Sequence, residues 1–263
     1  MLGKLLKYEI KAMGRVMLPL YVAMLFIAGL FALNLRLGMN PSMKSIMEKI
    51  AIIAGFLFVI CVMAVAVVMA VMVIQRYYKN LLGNEGYLMF SLPVTTMDHI
   101  LSKGLSSFLW ILIGFATGIA SGFLMVGIVS DLPEFMEELT RVRQLFFQGH
   151  TKDLILLIIV ALVGVLEALC KVYAAISVGH LFNGHRLFFS IVAYIAFGIV
   201  EMIIMLPLSK DGLVFGRVID AVMDAEKIPT SGFLWIMIVI SLIGMVIYGA
   251  VAWYLLDRKL NLE

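Results

Sequence analysis

Charged residues are absent from four long stretches of this chain, 16–35, 50–75, 104–130 and 228–256, and sparse in two more. Residues 154–178 are interrupted by Glu167 and Lys171, and residues 187–208 by Glu201. About 20 apolar residues in a helix cross the hydrocarbon core of a bilayer, and each stretch is that long. In lipid every backbone N–H and C=O must be satisfied inside the structure, which a helix achieves alone. The pattern predicts an all-α polytopic membrane protein with six transmembrane helices, over about 16–35, 50–75, 104–130, 154–178, 187–208 and 232–256. The segments between them run to about 20 to 30 residues, too short for a folded domain of ~50 or more. Residues 1–263 therefore read as one transmembrane domain.

The polar positions outside the spans are patterned as well. Leu2, Leu5, Leu6 and Met13 recur at helical spacing against Lys4, Lys7, Lys11 and Arg15. That periodicity predicts an amphipathic helix over 1–15, lying in the headgroup layer before the first span. After Pro133, Phe135, Met136, Leu139, Val142 and Phe146 mark one helical face. Phe215, Val218, Ile219, Val222 and Met223 do the same before Pro229. Such faces suit packing at the bilayer surface. The third span carries Gly114, Gly118 and Gly122, a small-residue stripe against which another helix can pack closely.

Composition sharpens the class. The chain is 63% hydrophobic and 14% charged, with a mean hydropathy of +1.08, a balance that excludes a soluble domain of this size. Cys61 and Cys170 both fall inside spans, where a thiol acts as a small apolar residue and no disulfide framework is implied. The first apolar stretch exceeds the roughly 7–15 residues of a signal-peptide core, so it stays as a span. With both termini inside, ten Lys and Arg fall in inside segments and nine in outside ones. Orientation then rests on the basic cluster ahead of the first span, which favours an inside N-terminus.

The segment 76–103, between the second and third spans, carries the most information. Asn84 is placed to cap a short helix, Glu85 suits its positive N-terminal end, and Pro93 stops it. Leu81, Leu82, Tyr87, Leu88, Phe90 and Leu92 are too many apolar residues for a solvated turn and call for a partner surface. This core, Glu85-Gly86-Tyr87-Leu88 through Leu92-Pro93-Val94, followed by Ser102-Lys103 and a span, resembles the type-2 ABC-transporter permeases. The basic start, the six spans, the 178–186 stretch with His180 and His185, and the Lys259-to-Glu263 end fit the same resemblance.

The resemblance implies the membrane-spanning permease subunit of an ATP-binding-cassette exporter in a bacterial cell membrane. It implies that 76–103 contains a cytosolic coupling helix, with Glu85, Gly86, Tyr87, Leu88, Leu92 and Pro93 at or beside the contact with a cytosolic ABC ATPase. The 179–186 loop would be a second, smaller contact, and both termini would be cytoplasmic. A second bundle, as a homodimer or a related permease, is implied too. The chain has no GxxxxGK[ST] loop, so ATP would be bound by the partner subunit, with no cofactor, metal or nucleic acid held here.

Three charges inside spans complete the candidate list. Glu167 and Lys171 are four apart with the acid first, the favourable order for a pair on one helix. Lys171 lies about 25 Å along its span from Leu154, where it can snorkel toward the inner surface. Glu201 has no basic residue near it on its own helix, and it reads either as lining a pathway or as a neutral group packed in the bundle. An intramembrane enzyme built on Glu167, Glu201, His180 and His185, or a partnerless immunity protein, is the alternative function. Glu137-Glu138 is not followed by an arginine at the spacing of a glutamate protease, and no HExxH appears.

Overall fold

The computed structural model describes residues 2–38, 44–82, 94–130, 132–147, 151–182, 184–205 and 231–258. They form α1 (Leu2–Gly38), α2 (Lys44–Tyr77), α3 (Thr96–Val129), α4 (Leu132–Phe147), α5 (Thr151–Gly179), α6 (Arg186–Met205) and α7 (Ser231–Arg258). A π-helical turn, Tyr78–Leu82, continues α2. No strand occurs among the described residues. All of these helices except α4 are long and apolar enough to cross a membrane. The protein is an all-α membrane protein with six such helices. Val and Ile are the most frequent residues of α2 although β-branched side chains lower helix propensity in water. In lipid the need to satisfy the backbone internally overrides that preference.

Two compact units divide the chain: 1–75 with 105–145, and 76–104 with 146–263. In the first, α1 buries a stripe of Met13, Met17, Tyr21, Met24, Ala28 and Ala32, at three- and four-residue spacing. Trp110 of α3 lies over Gly14, where a β-carbon would stand 2.8 Å from the indole ring. The Tyr21 hydroxyl donates to the Trp110 carbonyl at 2.7 Å, and the Trp110 indole N–H donates to the Ile10 carbonyl at 3.2 Å. Further along, Gly29 meets Leu124, and Arg36 donates to the Ile128 carbonyl at 2.9 Å. Partners rise in number together, so α1 and α3 run parallel. Phe31 of α1 and Phe58 of α2 stack at 6.4 Å.

The N-terminal segment departs from expectation. Residues 2–38 are one continuous helix, and Pro19 sits inside it without ending it. The lysines at 4, 7 and 11 are exposed, as an amphipathic segment requires, but Glu9, Met13 and Gly14 are buried. At about 1.5 Å per residue a helix this long exceeds the hydrocarbon thickness, so part of it stands outside the hydrocarbon. Residues 2–15 continue into the first span without a break, so the amphipathic segment is not a separate helix. The glycine stripe is also divided. Gly114 receives Tyr21, whose hydroxyl oxygen would stand 2.8 Å from an added carbon, while Gly118 and Gly122 meet nothing within 4 Å among the described residues. The face after Pro133 is helical, as α4, with Phe135 against Gly127. The 215–223 segment lies outside the described residues.

In the second unit α5 packs on both α6 and α7. Leu156 of α5 joins Leu234 and Ile238 of α7 in a buried apolar cluster. The turn between α5 and α6 is tight: a β-carbon on Gly179 would collide with the Ser190 hydroxyl and with backbone at 2.6 Å.

Candidate functional site

Two arrangements in the second unit bring the sequence candidates together. The first is the foot of the 83–93 segment. Glu85, Gly86, Tyr87, Leu88, Leu92 and Pro93 lie outside the described residues, as does Asn84; both flanks of the segment are described. On the near side Leu81 and Leu82 are buried and Tyr77 is fully so. Tyr77 stacks on Tyr173 of α5 with ring centroids 4.2 Å apart and planes within 6°. Its hydroxyl shares a 2.8 Å hydrogen bond with that of Ser177, one turn further along α5. On the far side α3 opens with a capping box. The Asp98 N–H donates to the Thr95 hydroxyl oxygen at 3.2 Å, and the Asp98 carboxylate accepts from the Thr95 N–H at 3.2 Å. Thr96 then donates to Asp257 at the end of α7, at 3.1 Å.

Sequence reading missed this second anchor, although Thr95-Thr96-Met97-Asp98 spells a capping box and marks where α3 begins. It also placed Lys103 in a loop. The structure buries His99, Ser102 and Lys103 to 1% exposure within the first turns of α3, because that helix starts well before the uncharged run. His180, just past α5, meets the Tyr78 ring edge-on at 6.5 Å, which joins the 178–186 turn to the same foot. Burial, then the nearby Arg186 charge, lowers the His180 pKa below its ordinary 6.5. Among the described residues no group of three or more His, Cys, Asp or Glu side chains could hold a metal ion.

The second arrangement lies within the bundle. Lys171 of α5 reaches Glu201 of α6 at 2.5 Å, an ion pair between helices. The other Glu201 oxygen accepts from the Tyr248 hydroxyl of α7 at 2.7 Å. The Lys171 ammonium also sits 5.0 Å from the centre of the Tyr194 ring and 3.5 Å from where a β-carbon on Gly198 would be. Tyr194, Gly198 and Glu201 share one face of α6 by their spacing. Glu167 turns to α7, where Ser241 hydrogen-bonds it and the missing side chain of Gly244 makes room for its carboxyl.

The pairing expected within one helix is corrected. Lys171 takes its ion pair from Glu201 on α6 rather than from Glu167 on its own helix, and it is buried. Glu201 is not isolated, since its partners come from two other helices. Side chains on a helix lean toward its N-terminus. On antiparallel α5 and α6 the lysine and the glutamate therefore lean toward each other, and an estimate of depth from rise per residue alone sets them too far apart.

No protein-family model, no curated protein and no solved structure matches this chain.

Proposed function

We propose that this protein is the membrane-spanning permease subunit of an ATP-binding-cassette exporter, driven by a separate cytosolic ATPase that docks on the 76–103 segment. The 76–103 segment carries the proposal. Glu85–Pro93 and Ser102–Lys103 resemble the core of the type-2 permeases, and both flanks are fastened to helices of the bundle. A segment that receives force from a partner must be held at both ends, or its motion would dissipate in its own linkers. Tyr77 on α5 and Thr96 on α7 supply those holds. In this proposal the segment and both termini face the cytoplasm of a bacterial cell, and ATP stays on the partner subunit. A second bundle, from a homodimer or a related permease, completes the path, and the Glu167–Lys171–Glu201 cluster lies along or beside it.

The test is capture of the partner. The tagged chain should co-purify an ABC ATPase from its native membrane, and in liposomes it should stimulate that ATPase. Leu88→Asp would set an unpaired charge in the apolar contact and should abolish capture. Glu85→Lys reverses the charge at a helix start, a dipole contribution of roughly 0.3–1 kcal/mol, and should weaken capture less. Both variants should reach the membrane at normal yield. Normal capture by both variants would remove the segment from the mechanism. An ATPase that never co-purifies would favour an intramembrane enzyme or an immunity protein instead.

A further inference from the structure

Lys171 stands between two carboxylates, and only one of them holds it. Glu201 on α6 has the ion pair. Glu167, one turn earlier on α5 itself, feels the charges of both Lys171 and Glu201 while its hydrogen bond goes to Ser241. A lysine this deeply placed among spanning helices needs an acid partner in any conformation, because a bare ammonium in lipid is costly. An i, i+4 glutamate on the N-terminal side is in the favourable position to be that partner. Two discrete partners make a two-state element.

Helix α5 carries a second loaded face. Tyr173 and Ser177, at i, i+4 spacing, hold Tyr77 at the foot of the 83–93 segment. Residues 171 and 173 point to nearly opposite sides of a helix of 3.6 residues per turn. Turning α5 by about 30° moves a side chain at its surface by about 3 Å, enough to part an ion pair. Displacing Tyr77 therefore swings Lys171 the other way.

We infer that Lys171 is a latch with two seats, pinning α6 through Glu201 in the structure described here and moving to Glu167 when α5 turns, with Tyr77 positioning that turn from the foot of the 83–93 segment. The latch stands on the geometry of the second unit alone; only the agent that moves the foot rests on the permease proposal. The alternative seat leaves Glu201 with the Tyr248 hydroxyl and removes the ion pair that ties α6 to α5. Release of one helix from its neighbour is the kind of discrete change that opens a path through a bundle.

Spin labels test it without any ATPase. Ile158→Cys on α5 and Ile199→Cys on α6 lie at positions that are 49% and 51% exposed. In a chain with Cys61 and Cys170 replaced by Ala, in phosphatidylethanolamine–phosphatidylglycerol nanodiscs, pulsed electron resonance reads the α5–α6 separation. Glu201→Gln should raise the population of a second distance about tenfold or more, since the pinned seat is lost. Glu167→Gln should remove that second distance, and Lys171→Arg should retain the first. Tyr77→Phe keeps the stacked ring but loses the hydroxyl bond, and should raise the second population about fivefold. If Glu201→Gln does not fold, Glu201→Asp shortens the same arm and should shift the distribution the same way by a smaller factor. A single unshifted distance in the Glu201 variants, or a second distance that survives Glu167→Gln, overturns the latch; no response to Tyr77→Phe overturns the role of the foot. Because the readout involves no partner, failure here leaves the permease proposal standing, and failure to find an ATPase leaves the latch standing.

Discussion

The two units solve the same problem with different chemistry. In the first, α1 buries a stripe of methionines, alanines and Tyr21, and three hydrogen bonds end on backbone carbonyls: Tyr21 on Trp110, Trp110 on Ile10, Arg36 on Ile128. A carbonyl held in a helix is an acceptor in a fixed position, so each of these three bonds favours one arrangement. In the second, α5, α6 and α7 are joined by side chains that can choose among partners: Glu167, Lys171, Glu201, Ser241 and Tyr248. Ties to carbonyls suit a rigid frame, and ties among charged side chains suit a part that rearranges.

The largest effect expected from breaking this contrast is in the second unit. Lys171→Met leaves Glu201 without its cation and should lower stability by on the order of 3 kcal/mol, read as a lower Tm in bilayer discs. The double variant Lys171→Met/Glu201→Met should recover most of that loss, because no uncompensated charge remains. Equal losses in the single and double variants would show that packing, not the ion pair, joins these helices.

A smaller effect is expected in the first unit. Gly14→Val places carbon against the Trp110 ring, which must shift or strain, at a cost of about 1–3 kcal/mol. The same substitution at Gly118, which meets nothing within 4 Å, should leave stability of the isolated chain unchanged. A loss at Gly118 equal to that at Gly14 would mean that a second copy covers that face.

The smallest effect is a pH dependence at the foot, outside the spans. The folded protein holds His180 below its ordinary pKa of 6.5, chiefly through burial. The unfolded chain therefore binds the proton more readily, and the contribution of His180 is fully present above pH ~6.5 and lost as pH falls toward the folded value. Melting curves should show lower stability at pH 5 than at pH 8, and His180→Gln should flatten part of that slope. An unchanged slope would place the pH dependence elsewhere.

Much of the helix content was legible in the sequence, and the places where it was not share a cause. The long apolar runs, four of them without any charge, located all six spanning helices, but the ends were displaced. Local capping decides an end, as Thr95 and Asp98 do for α3, and so does the continuation of a helix beyond the bilayer, as in α1. The glycine stripe signalled close packing, yet among the described residues only Gly114 of the three meets a neighbour, the Tyr21 ring.

The sequence by itself determined that these helices belong in lipid, because transfer of apolar side chains out of water and satisfaction of the backbone within a helix depend on composition and length alone. It also determined which ionisable groups would have to be accommodated there: Glu167, Lys171 and Glu201. Which of them would meet was decided by the tertiary structure. Spacing along one helix favours Glu167 with Lys171, and antiparallel packing of α5 on α6 gives Lys171 to Glu201 instead. A contact between residues 30 apart in the chain depends on how two helices cross and which way their side chains lean, and no local pattern of residues encodes that.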